Sequence, residues 1–223
     1  MNFVCDDKIL VSHALMMLMV GQMLGSLFGS AADIFGRKKL MVVCLFVHFV
    51  SSVLITVVGN IYSLGTVYLI NGFALATAYC CSFTLIMEQV GLRWRHVVGI
   101  GCTAVWGIGM LFVGMLSYLL RDWRHLQLAA SLPGVFFVFF TCLIPESARW
   151  LAEKGRYAEA EDILGRMAKG NGKNLTSKIH LRTETQGEEP HQKAQSLTML
   201  LRCPPLLLRL AVVLFNWFVV LKL

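Results

Sequence analysis

Charge is the scarcest commodity in this sequence. Only 15% of its 223 residues are charged, while 57% are hydrophobic; soluble chains carry about a quarter charged residues. That shortage excludes an ordinary soluble domain. The apolar residues lie in long runs, several of which reach the roughly 20 residues needed to cross a bilayer. The seven cysteines include no Cys-x-x-Cys and are joined by no paired-histidine spacing, which excludes a metal set of the usual kinds. Cys44, Cys80, Cys81, Cys102 and Cys142 fall inside apolar runs, where cysteine behaves as a small hydrophobe. No phosphate-cradling glycine loop of the nucleotide-binding kind and no nucleophile motif is present, and Cys81 and Ser82 have no histidine near them in sequence. An enzyme is therefore not expected, and no cofactor is called for. The formal charge of +7 sits in short loops and a polar tail, without the folded basic face and interleaved aromatics of a nucleic-acid binder. Residues 1–8 lack the basic region and small-residue cleavage site of a signal peptide.

What remains is a succession of apolar runs: 9–32, 40–58, 62–87, 97–120 and 126–144. These predict five full membrane spans, a transmembrane bundle over 1–144. Lysine and arginine set the orientation. Arg37, Lys38 and Lys39 follow the first run, the loop from Gly59 to Ser63 has no basic residue, and Arg93 and Arg95 follow the third. Arg121 and Arg124 after the fourth are offset by Asp122, and the stretch from Arg149 to Arg202 is rich in cations. Alternate loops are therefore basic and expected to be cytoplasmic, with the first span beginning outside. Pro145 closes the fifth span. Two short amphipathic cytoplasmic helices are predicted over 145–169, separated by Gly155, the second striped by Tyr157, Ala160, Ile163, Leu164 and Met167. Residues 170–203 read as a polar cytoplasmic linker, where the Asn174-Leu-Thr176 sequon is discounted. Residues 204–223 read as the start of a further, truncated span that carries Arg209.

The first span is the most informative. Gly21, Gly25 and Gly29 recur every four residues on one helix face, a spacing that lets two helix backbones approach closely in lipid. Static packing and a face on which a neighbour slides both need such a surface. Asp33 then stands at a helix C-terminus, where the macrodipole disfavours an acid. It is either a solvated loop charge or a carboxylate with a partner, such as Arg37, another cation or a facing helix N-terminus. Gly36 suits a tight turn with positive φ. Two more acid–base pairs lie on the same side, Glu88 with Arg95 and Glu146 with Arg149. Together with Asp33 and Arg37 they are expected to form one ionic cluster beneath the bundle. Isolated exposed pairs contribute only about 0–1 kcal/mol, whereas a partly buried network present in one conformation biases a two-state equilibrium.

These residues carry a resemblance. Gly25-Ser-Leu-Phe-Gly29-Ser-Ala-Ala-Asp33-Ile-Phe-Gly36-Arg37-Lys38 resembles the signature loop between helices two and three of the major facilitator superfamily. Glu88-Gln-Val-Gly-Leu-Arg-Trp-Arg95-His-Val-Val-Gly99 is similar to the loop between helices four and five of that superfamily's organic-ion transporters, the organic cation, organic anion and carnitine transporters. Tyr118-Leu-Leu-Arg-Asp-Trp-Arg124 and Pro145-Glu-Ser-Ala-Arg-Trp-Leu151 resemble later signatures of the same family, and Phe3-Val-Cys5 the end of its large outer loop. The resemblance implies an all-α membrane protein: part of a major-facilitator six-helix bundle with a short cytoplasmic helical segment, working by alternating access. On that map the chain runs from helix two to a partial helix seven, without helix one, its outer loop and nearly all of the C-terminal half. Cys5 then aligns with a cysteine whose disulfide partner lies in that outer loop. Ile34 replaces the basic residue that usually follows the aspartate, Tyr68 stands where many members carry arginine, and Ala148 replaces a proline of the Pro-Glu-Ser-Pro-Arg pattern.

For a substrate surface the candidates are polar or aromatic groups within spans. Tyr79 and Trp106 offer ring faces to an organic cation, and Asn71, Thr84 and Thr103 offer hydrogen bonds; ordinary helix packing or lipid contact is the competing reading for each. The only acids in or beside a span are Asp33 and Glu88, so no mid-membrane counter-ion is evident. The expectation is a multi-pass protein of the plasma membrane that transports small organic ions: organic cations, anions or zwitterions such as carnitine. The alternative is a truncated, non-transporting membrane protein that binds or modulates a full-length homologue.

Overall fold

In a computed structural model the described residues are 8–172, and they are helical with no strand among them. Cys5, the expected linker beyond residue 172 and the expected span over 204–223 lie outside them. Helix α1 (Lys8–Phe28) passes through a single 3-10 turn at Gly29–Ala31 into the one-turn helix α2 (Ala32–Phe35). Gly36 then reverses the chain at φ 101°, a backbone region that a Cβ disfavours. Helix α3 (Arg37–Val57) starts immediately, and three residues lead to α4 (Ile61–Gln89), whose first turn is capped by Asn60 accepting the Tyr62 N–H at 3.2 Å. A second 3-10 turn at Leu92–Trp94 leads into α5 (Arg95–Leu119). The segments Ser12–Phe35, Arg37–Val57, Ile61–Gln89 and Leu92–Leu119 are long and apolar enough to cross a membrane.

The fifth run, expected as a span over 126–144, is interrupted near its middle by Pro133. It forms α6 (Trp123–Ser131) and α7 (Pro133–Leu143), meeting at Leu132. Pro133 has no N–H to donate, and its ring would clash with the carbonyl one turn back. The backbone accordingly tightens, with the Val135 N–H donating to the Leu132 carbonyl at 3.2 Å. After it come two helices at the basic end, α8 (Ala148–Glu153) and α9 (Tyr157–Gly170), joined through Gly155 at φ 75°. They pack together by burying Leu151, Ala160 and Ile163.

Helix α4 is the centre of the assembly, contacting α1 on one side and α3 on another. A Cβ added at Gly21 or Gly25 would collide with the α4 backbone at Leu69 or Phe73, and one at Gly72 with the Leu18 carbonyl. The two backbones are thus in direct contact, and the Thr77 hydroxyl crosses the seam to the Gly25 carbonyl at 2.9 Å. Between α3 and α4 the connection is polar: Asn71 Nδ2 donates to Ser51 Oγ (2.9 Å), Ser52 Oγ (2.8 Å) and the His48 carbonyl (3.2 Å). Ala32, Met41, Cys81 and Leu85 form a small apolar core at the basic end. Helix α5 touches α6 and the edge of α4 and, like α6, buries no residue of its own.

Candidate functional site

The core at the basic end carries the ionic site. Gly36 turns the chain so that Arg37, the first residue of α3, points back across the turn. Its side chain, only 9% exposed, lies between two carboxylates from different elements. Nη2 reaches Asp33 Oδ1 at 3.0 Å, one helical turn earlier, and Nη1 is ion-paired with Glu88 at the end of α4. Glu88 is 10% exposed and Asp33 67%. One cation therefore ties a nearly buried acid to a solvated one, and the buried pairing is where removal of either partner is costly.

The segment leading into α8 closes over this pair. Glu146 Oε1 accepts the Lys38 backbone N–H at 2.9 Å and the Ser147 N–H at 3.2 Å, placing a carboxylate at the positive N-terminus of α3. The fully buried Ser147 hydroxyl donates to Glu88 Oε2 and accepts the Trp150 N–H at 3.3 Å, capping α8. Trp150 Nε1 donates to the Asp33 carbonyl at 2.9 Å, and its ring packs over Gly36, where a Cβ would lie 3.4 Å from the ring and 3.0 Å from Glu146 Oε2. Gln89 adds a longer bond, 3.4 Å, to the Pro145 carbonyl. Three chain segments thus meet at Arg37: the α2–α3 turn running into α3, the α4 C-terminus and residues 145–150.

Two members of the expected six-residue cluster are elsewhere. Arg95 does not pair with Glu88; its Nε donates to the Val90 carbonyl at 3.4 Å, closing the turn that starts α5. Arg149 does not pair with Glu146. It faces outward on α8 and pairs with Glu153, one turn on, at 3.1 Å. Glu88 is claimed by Arg37 and Ser147 instead, and Glu146 by backbone N–H groups. Ser147 and Trp150 were missed as members of the site. A serine placed immediately before a short helical run is an N-cap signal, but nothing local ties its hydroxyl to Glu88.

The substrate candidates divide as well. Tyr79 on α4 and Trp106 on α5, 55% and 61% exposed, meet edge to face with centroids 6.4 Å apart, and Phe83 stacks against Tyr79 at 6.3 Å. Thr84 and Thr103 hydroxyls return to their own helices, to the Cys80 carbonyl at 2.8 Å and the Gly99 carbonyl at 3.2 Å. Asn71 does not belong to this face. It is 7% exposed, and its amide is used up between α3 and α4, so its place is structural.

Residues 5–220 match the family described as "Sugar (and other) transporter". Among curated proteins the chain is 31% identical to "Organic cation transporter protein" of Drosophila melanogaster, over 98% of this chain and 41% of that one. It is also 31% identical to "Solute carrier family 22 member 2" of Homo sapiens, over 97% and 39%. A Drosophila melanogaster "Carcinine transporter" is 30% identical, over 97% and 33%. The chain thus spans about two-fifths of the length of the first two of these relatives. Among solved structures the fold is similar to the proton:xylose symporter XylE bound to 6-bromo-6-deoxy-D-glucose (TM-score 0.63, 21% identity, 79% of this chain and 41% of that one). A partially occluded inward-open XylE from E. coli aligns with the same TM-score at 19% identity, over 80% and 49%.

Proposed function

The chain belongs to the Sugar (and other) transporter family of the major facilitator superfamily, and from that premise we propose that it serves transmembrane transport of small organic ions by alternating access, with the Arg37 site as the latch at the cytoplasmic end. Its relatives include proteins named as transporters. The observation that carries the latch is the buried Arg37 held by Asp33 and Glu88 and covered by Ser147 and Trp150. Its bonds join segments that are separate in sequence, so moving any one segment breaks several of them together. That makes two discrete arrangements, and a ligand biases them only by its differential affinity. Lys38, Gly25 and Gly29 belong to the same device: the first by its backbone bond to Glu146, the glycines by the smooth seam on which α1 meets α4.

Organic cations are the favoured substrate class. The aromatic pair of Tyr79 and Trp106 offers cation-binding faces, and the printed names of the relatives include organic cation transporters. Thr84 and Thr103 lie on the helices that carry those rings and take a secondary part. The plasma membrane is the proposed location, with the Arg37 end in the cytoplasm.

Uptake of a labelled organic cation, a labelled anion and carnitine by cells expressing the chain tests the proposal. Saturable cation uptake is expected; its absence at normal surface expression overturns it. A second arm co-expresses a full-length relative, and uptake that changes only then assigns the chain a binding or modulating role. For the latch, Asp33→Asn is expected to lower transport several-fold while surface expression stays near normal, because an exposed pair contributes only about 0–1 kcal/mol to stability. Unchanged transport reduces Asp33 to a loop charge.

A further inference from the structure

Beside the latch, on the outer flank of the bundle, lies a groove of about 860 Å³ that the transport reading does not use. Its floor is apolar and formed by the first turns of α3 and the last of α7, including Val42, Val43 and Leu143. Val43 and Leu143 are largely exposed, so the floor is continuous with the exposed apolar sides of those two helices. Its rim is cationic, with Lys39 from α3, Arg156 at the start of α9 and Arg166 from its third turn. All three are exposed.

Two acids line the same groove, and both are engaged. Glu146 is held by the Lys38 and Ser147 N–H groups. Glu159 pairs with Arg156 through both Nε (2.8 Å to Oε1) and Nη2 (2.6 Å to Oε2), and Asp162 pairs with Arg166 through Nη2. Both pairs lie within one helix and are exposed, the class of ion pair that contributes least. A phosphate, which guanidinium binds in bidentate fashion, therefore competes for these forks against weakly held, exposed carboxylates.

We infer that this groove is a binding site for an anionic phospholipid of the leaflet that meets the basic end of the bundle. The phosphate and its charged headgroup sit among Lys39, Arg156 and Arg166, and the acyl chains run down the exposed flank formed by Val43 and Leu143. The pairing of a cationic rim with an apolar floor open to the bilayer selects this ligand: inorganic phosphate satisfies the rim and leaves the floor uncovered, while a neutral zwitterionic lipid covers the floor and uses the rim poorly. Basic pockets between membrane helices at the cytoplasmic boundary recognise anionic headgroups on this principle. The assignment does not depend on transport or on the identity of any substrate. A lipid seated there would bridge α3, α7 and α9, the elements that flank the latch.

Native mass spectrometry of the purified full chain, released from micelles doped equally with phosphatidylserine and phosphatidylcholine, tests it. Retention of phosphatidylserine over phosphatidylcholine is expected, and the triple variant Lys39→Gln, Arg156→Gln, Arg166→Gln should lower that preference by about tenfold. Arg121→Gln with Arg124→Gln, at the other end of the bundle, should leave it unchanged. Equal retention of the two lipids by the parent chain overturns the proposal, as does an unchanged preference in the triple variant. Inorganic phosphate added in millimolar excess distinguishes the source: the lipid should stay bound, and its complete displacement makes this a free-anion site and sinks the lipid assignment. If the triple variant loses helix content by circular dichroism, the exposed single change Lys39→Gln decides, with a few-fold fall expected and no fall counting against the site.

Discussion

Helix α4 takes part in two regions of opposite character. At its C-terminal end Glu88 is closed in by Arg37 and Ser147, groups from segments far away in sequence, and little of its surface is left to solvent. Along its middle, Tyr79 presents a ring to Trp106 with both side chains more than half exposed, while the nearby Thr84 and Thr103 hydroxyls return to their own backbones. In the first region polar groups bond to one another across elements, so the arrangement is either made or broken as a unit. In the second the polar groups are satisfied locally, and the aromatic faces have no partner within the described residues beyond one another and Phe83. Cutting the first should therefore show in stability, and cutting the second in ligand response.

The sharpest way to break this contrast is Arg37→Met. It leaves Glu88 nearly buried without its cation, and removal of one partner of a buried pair costs about 3–5 kcal/mol. Thermal unfolding in detergent should fall steeply. The double change Arg37→Met with Glu88→Gln should recover part of the loss, because the stranded charge is gone. A double variant no more stable than Arg37→Met alone would locate the loss in the arginine's own packing rather than in the ion pair.

A smaller effect separates α1 from α5. Gly25→Ala inserts a methyl group against the α4 backbone at Phe73. Overpacking costs typically about 1–3 kcal/mol, here through forced separation of two helices, so the unfolding temperature should drop measurably. Gly101→Ala on α5 meets nothing within 4 Å and should be neutral. Equal shifts in the two variants would erase the distinction between a packed glycine face and an open one.

What could be read ahead of the coordinates follows the same division between local and distant. The Asp33–Gly36–Arg37 turn is local: its residues lie within one helical turn, and spacing with charge sign suffices to pair them. The long helices announce themselves by apolar length. The allocation of acids to cations was not legible, because Glu88 and Arg37 belong to helices whose register depends on the Gly25–Phe73 approach and the Asn71 bonds to Ser51 and Ser52. Nearness in sequence favoured Arg95 and Arg149, yet those two serve their own helices. The break at Pro133 was within reach of a rule about proline, but a largely apolar run from Leu126 to Ile144 masked it. Asn71 shows a further limit: an amide within a span looks alike whether it faces a ligand or a neighbouring serine, and only the fold decides.

The smallest stability change, and the one that bears most on function, is expected at Trp106. An edge-to-face ring pair contributes about 0.5–1.5 kcal/mol beyond its area, and this one is largely exposed, so Trp106→Ala should leave unfolding almost where it was. If the aromatic face receives an organic cation, the same change removes a cation–π contact of about 0.5–2 kcal/mol. The expected signature is a KM for cation uptake raised several-fold at unchanged surface expression, with Trp106→Phe falling between. Trp94→Ala is the matched control, because that indole is 60% exposed but sits in the 3-10 turn before α5, away from Tyr79. Should both tryptophans raise KM alike, the effect belongs to loss of a large apolar group at the membrane surface. Only a loss confined to Trp106 makes the exposed face of α4 and α5 a site rather than a stretch of lipid-facing helix.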